Sequence, residues 1–200
     1  EDAGLGPEQR RAIERTIEDA DQLLATFKAL LSIADAESGS ARASMTPLDL
    51  GEMAEDIADL YAPASEERGI AMRCAGAHAT VLGSRQLLFQ AISNLVDNAL
   101  KHTPVGGTIT IAVSPGGGTS GAQGVRLSVA DTGSGIPEAD RERVLEPFVR
   151  LDKSRTTPGS GLGLALVAAI ARLHGARISL DDNAPGLAVI LDFPPMAMAA

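Results

Sequence analysis

The chain is poor in aromatic residues, with four Phe, one Tyr and no Trp in 200. A core must therefore be built from Leu, Ile, Val and Ala, and a hydrophobic content of 44% is enough for one. Cysteine is almost absent. A single Cys74 excludes an internal disulfide, and its setting, Ile70-Ala71-Met72-Arg73-Cys74, reads as a strand that predicts a buried, unreactive thiol. Positive charge is in deficit: the formal net charge of −9 argues against a nucleic-acid or anionic-membrane surface. No apolar run approaches the ~20 residues of a membrane span, and no signal-peptide pattern opens the sequence. The expected location is cytoplasmic, with any membrane anchor confined to segments ahead of Glu1. The length suits one moderate domain with an appendage.

What is present is concentrated in three places. In the run Asn94-Leu95-Val96-Asp97-Asn98-Ala99-Leu100-Lys101-His102-Thr103-Pro104, the residues Asn94, Asn98 and Lys101 fall at i, i+4 and i+7. On a helix they share one stripe, while Leu88, Ile92, Leu95, Val96 and Ala99 gather on the opposite side. Packed on a sheet by its apolar side, such a helix aims two amides and an ammonium at one point. Amide oxygens suit a hard cation and an ammonium suits phosphate, so the stripe can hold a magnesium–nucleotide complex. Taken singly, it fits a solvated helix face better.

A strand-like run, Val125 to Ala130, then delivers Asp131 to the turn Thr132-Gly133-Ser134-Gly135-Ile136-Pro137. The glycines allow close backbone approach, and the fixed carboxylate can accept a hydrogen bond from an exocyclic amine such as N6 of adenine. An ordinary Asp/Gly turn has the same composition. Finally, Gly159-Ser160-Gly161-Leu162-Gly163 opens an apolar helix from Leu164 to Leu173. A glycine-rich helix start presents free N–H groups and the positive end of the dipole to an anion. It matches neither a P-loop, since no Gly-Lys-Ser/Thr follows, nor a dinucleotide fingerprint, since it does not directly follow a strand.

In order and spacing these segments resemble the ATP-binding catalytic domain of bacterial sensor histidine kinases, in the superfamily that also holds gyrase, the ninety-kilodalton heat-shock chaperones and MutL. NLVDNALKHTP resembles the asparagine box, ADTGSGIP the first glycine box, EPFVRLDKSR with Phe148 the phenylalanine box, and PGSGLGLALV the second glycine box. The resemblance spans about Ser44 to Phe193. It implies ATP and Mg²⁺ as ligands, with Asn94 and Asn98 holding magnesium and phosphates and Lys101 contacting phosphate. Asn94 and Lys101 are then the catalytic positions. It further implies that Asp131 reads adenine. Gly133, Gly135, Ile136, Gly159, Ser160, Gly161, Leu162 and Gly163 would line the nucleotide pocket and its lid. His102 stands where many relatives carry a tyrosine against the nucleotide. Arg150, Lys153 and Arg155 either reach the γ-phosphate on lid closure or stay solvated, and Phe148 is expected to anchor the lid in an apolar slot. In ATP-hydrolysing relatives a glutamate at the start of the asparagine-box helix activates water. Here that place resembles Asn94, an amide that is a very poor proton acceptor, which favours phosphotransfer over hydrolysis.

The first forty residues follow another rule. Ile13, Ile17, Ala20, Leu24, Phe27, Leu31 and Ala34 alternate by four and three, an a/d seam, with Pro7 at a helix start, Gly39 at its end, and Leu23 and Leu30 widening the apolar face. By resemblance this is the second helix of the dimerisation and phosphotransfer hairpin, a four-helix bundle in the homodimer; a plain coiled-coil connector has the same pattern. The phospho-accepting histidine of such hairpins has no counterpart. His78 sits between strands, His102 ends the asparagine box, and His174 ends a helix, where an imidazole favours the dipole.

The expected architecture is an α/β two-layer sandwich, a mixed sheet with helices on one face. Expected boundaries are a hairpin helix over 1–43, the ATP-binding domain over 44–195 and a loose tail over 196–200. Helices are expected from an Asp49/Glu52 capping box through about Tyr61, from Ser84 as N-cap, over Glu138–Leu145 and from Leu164. Strands are expected near Ile70–Cys74, Thr80–Leu82, Thr108–Val113, Val125–Ala130, Arg177–Leu180 and Leu187–Phe193. The function implied is transfer of the ATP γ-phosphoryl group to a histidine on a hairpin outside this chain, for relay to a response regulator receiver domain. An ATPase clamp of the same superfamily and a nucleotide-binding pseudokinase or interaction module remain as alternatives.

Overall fold

The computed structural model describes residues 45–116, 124–151 and 161–196, with scattered positions between 6 and 27. Strand β1 (Thr46–Asp49) runs directly into helix α1 (Leu50–Glu67), followed by β2 (Ala71–Gly76), β3 (Thr80–Gly83) and α2 (Arg85–His102). Then come β4 (Thr108–Gly116), β5 (Gly124–Asp131), α3 (Gly163–Leu173), β6 (Arg177–Asp182) and β7 (Leu187–Phe193). Five strands form one mixed sheet in the order β2-β4-β5-β7-β6, parallel only between β2 and β4, while β1 and β3 pair as a separate antiparallel ribbon.

The sheet's period-two alternation decides which side is covered. Ile109, Ile111 and Val113 of β4, Val125, Leu127 and Val129 of β5, and Val189, Leu191 and Phe193 of β7 are all buried on one face. The register aligns them across strands, with Ile111 opposite Val129, Leu127 opposite Leu191 and Val129 opposite Val189. The helices supply the other half of the same cluster: Leu50, Met53 and Ile57 from α1, Leu88, Ile92 and Val96 from α2, Leu166, Val167 and Ile170 from α3. Each such side chain contributes about 1.5–3 kcal/mol of transfer free energy, which is how a core almost without aromatics holds. The opposite row of the sheet is small and polar, with Ala112 beside Ser128 and the ion pair Arg126–Asp192 at 2.7 Å. The two-layer sandwich expected from the sequence is the fold observed.

Local departures have physical causes. Asp49 is the N-cap expected, its Oδ1 accepting from the N–H of Gly51 at 2.8 Å and of Glu52 at 3.2 Å. The helix does not stop near Tyr61, however; it runs through the exposed Pro63 to Glu67, and its last turn buries Ser65, whose Oγ donates to the Ala62 carbonyl at 2.8 Å. Strand β1 was not anticipated, and it exists by pairing with β3. The single helix expected over Glu138–Leu145 is two short 3₁₀ turns, Glu138–Asp140 and Arg143–Leu145. Cys74 is exposed rather than buried, since β2 is an edge strand bonded only to β4. Loss of water on one side and the nearby Glu55 and Asp59 push its thiol pKa up, which disfavours the thiolate. At the N-terminus, Ile13, Ile17, Ala20, Leu24 and Phe27 are helical and exposed; Leu30, Leu31 and Ala34 lie outside the described residues.

Candidate functional site

Helix α2 presents Asn94 and Asn98 half-buried and Lys101 exposed, with Leu95, Val96 and Ala99 buried behind them. The Asn94 amide is oriented by its own helix: Nδ2 donates to the Gln90 carbonyl at 2.8 Å, so Oδ1 faces the other way. Gly163, the first residue of α3, is what it faces. A Cβ on Gly163 would sit 3.4 Å from Asn94 Oδ1, 3.4 Å from Asn98 Nδ2 and 3.7 Å from Asn98 Oδ1. The start of one helix is thus brought against two amides of another, 69 positions earlier for Asn94, counting 163 minus 94. Leu162, the α3 N-cap residue, is buried and as a leucine gives no side-chain cap to the first-turn N–H groups, the donors that receive anions at helix starts.

His174 joins the same two helices at their far ends. Its Nδ1 donates to the Ile170 carbonyl at 2.8 Å and its Nε2 accepts the N–H of Ser84, the α2 N-cap residue, at 3.0 Å. Burial pushes the imidazole pKa down. The structural role expected for His174 holds, but it acts as a neutral hydrogen-bonding link and not as a cation on the dipole. Ser84 makes no side-chain cap, and its own N–H at the helix start is satisfied by His174.

Asp131 closes β5 and is 7% exposed. Its Oδ1 accepts the N–H of Gly133 at 2.7 Å. Burial raises its pKa, against the pull of N–H groups from Gly133 and Leu187 and of the nearby His102. His102, the last residue of α2, is exposed; partial desolvation lowers its pKa, with Asp131 acting in the opposite sense and Lys101 reinforcing. The end of α2 and the Asp131 turn are in direct contact, since a Cβ on Gly133 would stand 2.5 Å from the His102 carbonyl. Gly135 and Gly161 hold φ of 64° and 71°, the left-handed region that favours glycine. Ile136 is half-buried, its carbonyl taken by Arg141 Nε at 3.1 Å.

Gly159, Ser160, Lys153 and Arg155 lie outside the described residues. Phe148 does not fill an apolar slot: it is 72% exposed with φ of 65°, and its N–H donates to the Gly161 carbonyl at 3.1 Å. Its backbone, not its ring, ties the phenylalanine box to the second glycine box. His78 makes a surface contact to Asp49 at 3.2 Å. Two features were missed in the sequence. Half-buried Asp97 lies beside Tyr61 on the α1 side of α2, its carboxyl raised by burial, and burial with that carboxyl pushes the Tyr61 hydroxyl up to about 12. Asn183 donates from Nδ2 to the Asp131 carbonyl at 2.7 Å; only the β5–β7 pairing reveals that neighbourhood. A small cavity of about 100 Å³ near Gly51, Cys74 and His78 involves none of the four boxes and is far below the size of a nucleotide pocket.

Residues 83–197 match the family described as histidine kinase-, DNA gyrase B-, and HSP90-like ATPase. Among characterised proteins, the chain is similar to the sensor protein IrlS of Burkholderia pseudomallei, 35% identical over 88% of this chain and 37% of that protein. It is also similar to the adaptive-response sensory kinase SasA of Rippkaea orientalis, 34% identical over 87% of this chain and 41% of that one. It thus spans about two fifths of these relatives. Among solved structures, full-length ShkA in complex with AMPPNP aligns over 99% of this chain and 41% of its own, with a TM-score of 0.72 and 29% identity. The nucleotide-free catalytic domain of the histidine kinase ThkA aligns over 76% of this chain and 95% of its own, with a TM-score of 0.66 and 27% identity. The chain belongs to the histidine kinase-, DNA gyrase B- and HSP90-like ATPase family, and its relatives place it on the sensor histidine kinase side of that family.

Proposed function

We propose that the domain binds ATP with magnesium between α2 and the glycine-rich start of α3 and donates the γ-phosphoryl group to a histidine on a helical hairpin outside these 200 residues. The observation that carries the reading is the meeting of Asn94, Asn98 and Gly163. Two amides face a backbone with no Cβ to fill the space, and amide oxygens are ligands a hard cation accepts. Magnesium, when bound, would neutralise phosphate oxygens. Lys101 and the α3 N-terminal N–H groups would hold the remaining phosphate charge. Asp131, fixed by the Gly133 N–H, is the acceptor for the adenine amine, and His102 beside it contributes a neutral imidazole edge.

Kinase rather than hydrolase chemistry follows from Asn94. Phosphoryl transfer asks mainly for alignment and charge stabilisation, and an amide cannot take a proton from water, so the terminal phosphoryl group survives until a better nucleophile arrives. None of the chain's three histidines suits that part: His174 is a buried link, His78 pairs with Asp49 and His102 lies within the site itself. In the whole protein the acceptor would come from the hairpin, the hairpin would make the homodimer, and a response regulator receiver domain would take the phosphoryl group onward.

The test is calorimetric titration of ATP with and without magnesium. The parent chain should bind more tightly with the metal, and Asn98→Ala should erase that gain. An unchanged magnesium dependence in Asn98→Ala would remove the amide from the cation site. Phosphotransfer is read separately, by labelling the histidine of the cognate hairpin added in trans; steady phosphate release without acceptor would instead mark a clamp-type ATPase.

A further inference from the structure

We propose that Asn183 is a positioning residue for adenine recognition, holding Asp131 in place through the turn Asn183–Gly186 that joins β6 to β7. This rests on the reading of Asp131 as the adenine acceptor and adds what keeps it aimed.

The ladder between β5 and β7 ends at Ala130 opposite Ala188, so Asp131 stands one residue beyond the last rung. The residue is 7% exposed, and a buried carbonyl left without a donor is costly. The missing rung is supplied by a side chain, as Asn183 Nδ2 donates to the Asp131 carbonyl at 2.7 Å. That amide is aimed by its own turn, which closes with the Asn183 N–H on the Gly186 carbonyl at 3.2 Å. Gly186, at φ of 117°, lies flat against the Asp131 peptide; a Cβ there would stand 1.8 Å from the Asp131 carbonyl oxygen. The Gly186 carbonyl in turn abuts the glycine turn, 2.8 Å from where a Cβ on Gly135 would be. The next residue, Leu187, gives its N–H to the Asp131 carboxylate. A turn 52 positions away in sequence therefore grips both the main chain and the side chain of the acceptor.

The consequence is selective. Adenine offers an amine at position 6, and the hypoxanthine of inosine triphosphate offers a carbonyl that a carboxylate acceptor cannot use. The ratio of ATP to inosine triphosphate affinity thus reports the aim of Asp131, which a general loss of stability would not change. Two variants are titrated with both nucleotides well below their melting temperatures: Asn183→Ala, and Asn183→Asp, which keeps the shape and exchanges donor for acceptor. The expected result is an ATP affinity lower by about ten-fold, the scale of one unsatisfied buried hydrogen bond, with inosine triphosphate binding unchanged. An unchanged ratio, or equal losses for both nucleotides, overturns the proposal. Asp131→Asn in the same series separates the two levels: a ratio that collapses in Asp131→Asn but survives both Asn183 variants defeats only the role of Asn183. A ratio indifferent to Asp131→Asn defeats the adenine reading itself.

Discussion

At Asp131 two demands compete. A carboxylate 7% exposed loses hydration and its pKa rises, yet an acceptor for an amine must be ionised and fixed. The N–H groups of Gly133 and Leu187 resolve the conflict, because hydrogen bonds to the charged form offset part of the burial penalty. An amide in that place can keep the Gly133 bond or present an oxygen to adenine, but it lacks the charge that strengthens both. Asp131→Asn should weaken ATP binding by about ten- to a hundred-fold, the worth of a hydrogen bond to a charged group at about 1.5–3 kcal/mol; isothermal titration reads it directly. The same position shows what a sequence carries at this scale. Asp131 and its glycines are recognisable because Asp131, Gly133, Gly135 and Pro137 sit within seven residues. Asn183 is invisible because its meaning depends on which strand lies beside β5. Cys74 and Phe148 fail for a related reason: an apolar residue in a strand or after a proline looks buried until the edge of the sheet and the exposed loop are known.

Among elements, the site depends on how α2 and α3 are held relative to each other. They meet at one end through Gly163 against Asn94 and Asn98, and at the other through His174, which bridges the Ile170 carbonyl and the Ser84 N–H. Only a neutral imidazole can do this, since Nε2 must accept while Nδ1 donates. The folded-state pKa of His174 lies below its value in the unfolded chain, so between the two values the unfolded chain binds the extra proton. Stability contributed by this link is therefore complete above about pH 6.5, the ordinary histidine value, and is lost as pH falls from there toward the lowered folded value. His102 shifts in the same direction and adds to the slope. Urea midpoints measured from pH 7.5 to 5 should fall for the parent chain. They should fall less in His174→Gln than in His102→Gln if the buried link dominates. At neutral pH, His174→Ala should cost about 1–3 kcal/mol for the stranded Ser84 N–H. Element boundaries were legible where pattern and capping agree, as at Leu187–Phe193 and the Asp49 cap. They were not where a helix continues past an exposed proline, as in α1, or where a strand exists only through its partner, as in β1.

For the molecule as a whole, the parts proposed to touch one nucleotide lie far apart in the chain and on three separate elements: α2, the end of β5 and the start of α3. Leu88, Ile92 and Val96 with Leu166, Val167 and Ile170 weld the two helices to the sheet, and from the described residues between Asp131 and Gly163, Val144 joins the same cluster. A ligand bridging these elements adds contacts that the unfolded chain cannot make, so binding must appear as added stability. At a free concentration of one hundred times the dissociation constant the gain is about 2.7 kcal/mol. For a chain of this size each kilocalorie raises the melting temperature by about 2–4 °C, so magnesium–ATP should raise the midpoint by about 5–10 °C. Chelating the metal should remove most of that shift, and so should Asn98→Ala and Asp131→Asn, each acting from a different element. A variant at Arg126, whose pair with Asp192 lies on the opposite face of the sheet at 2.7 Å, should lower the starting midpoint slightly and leave the shift intact. A shift equal in all four proteins, or absent from the parent chain, would mean that the three elements do not share one ligand.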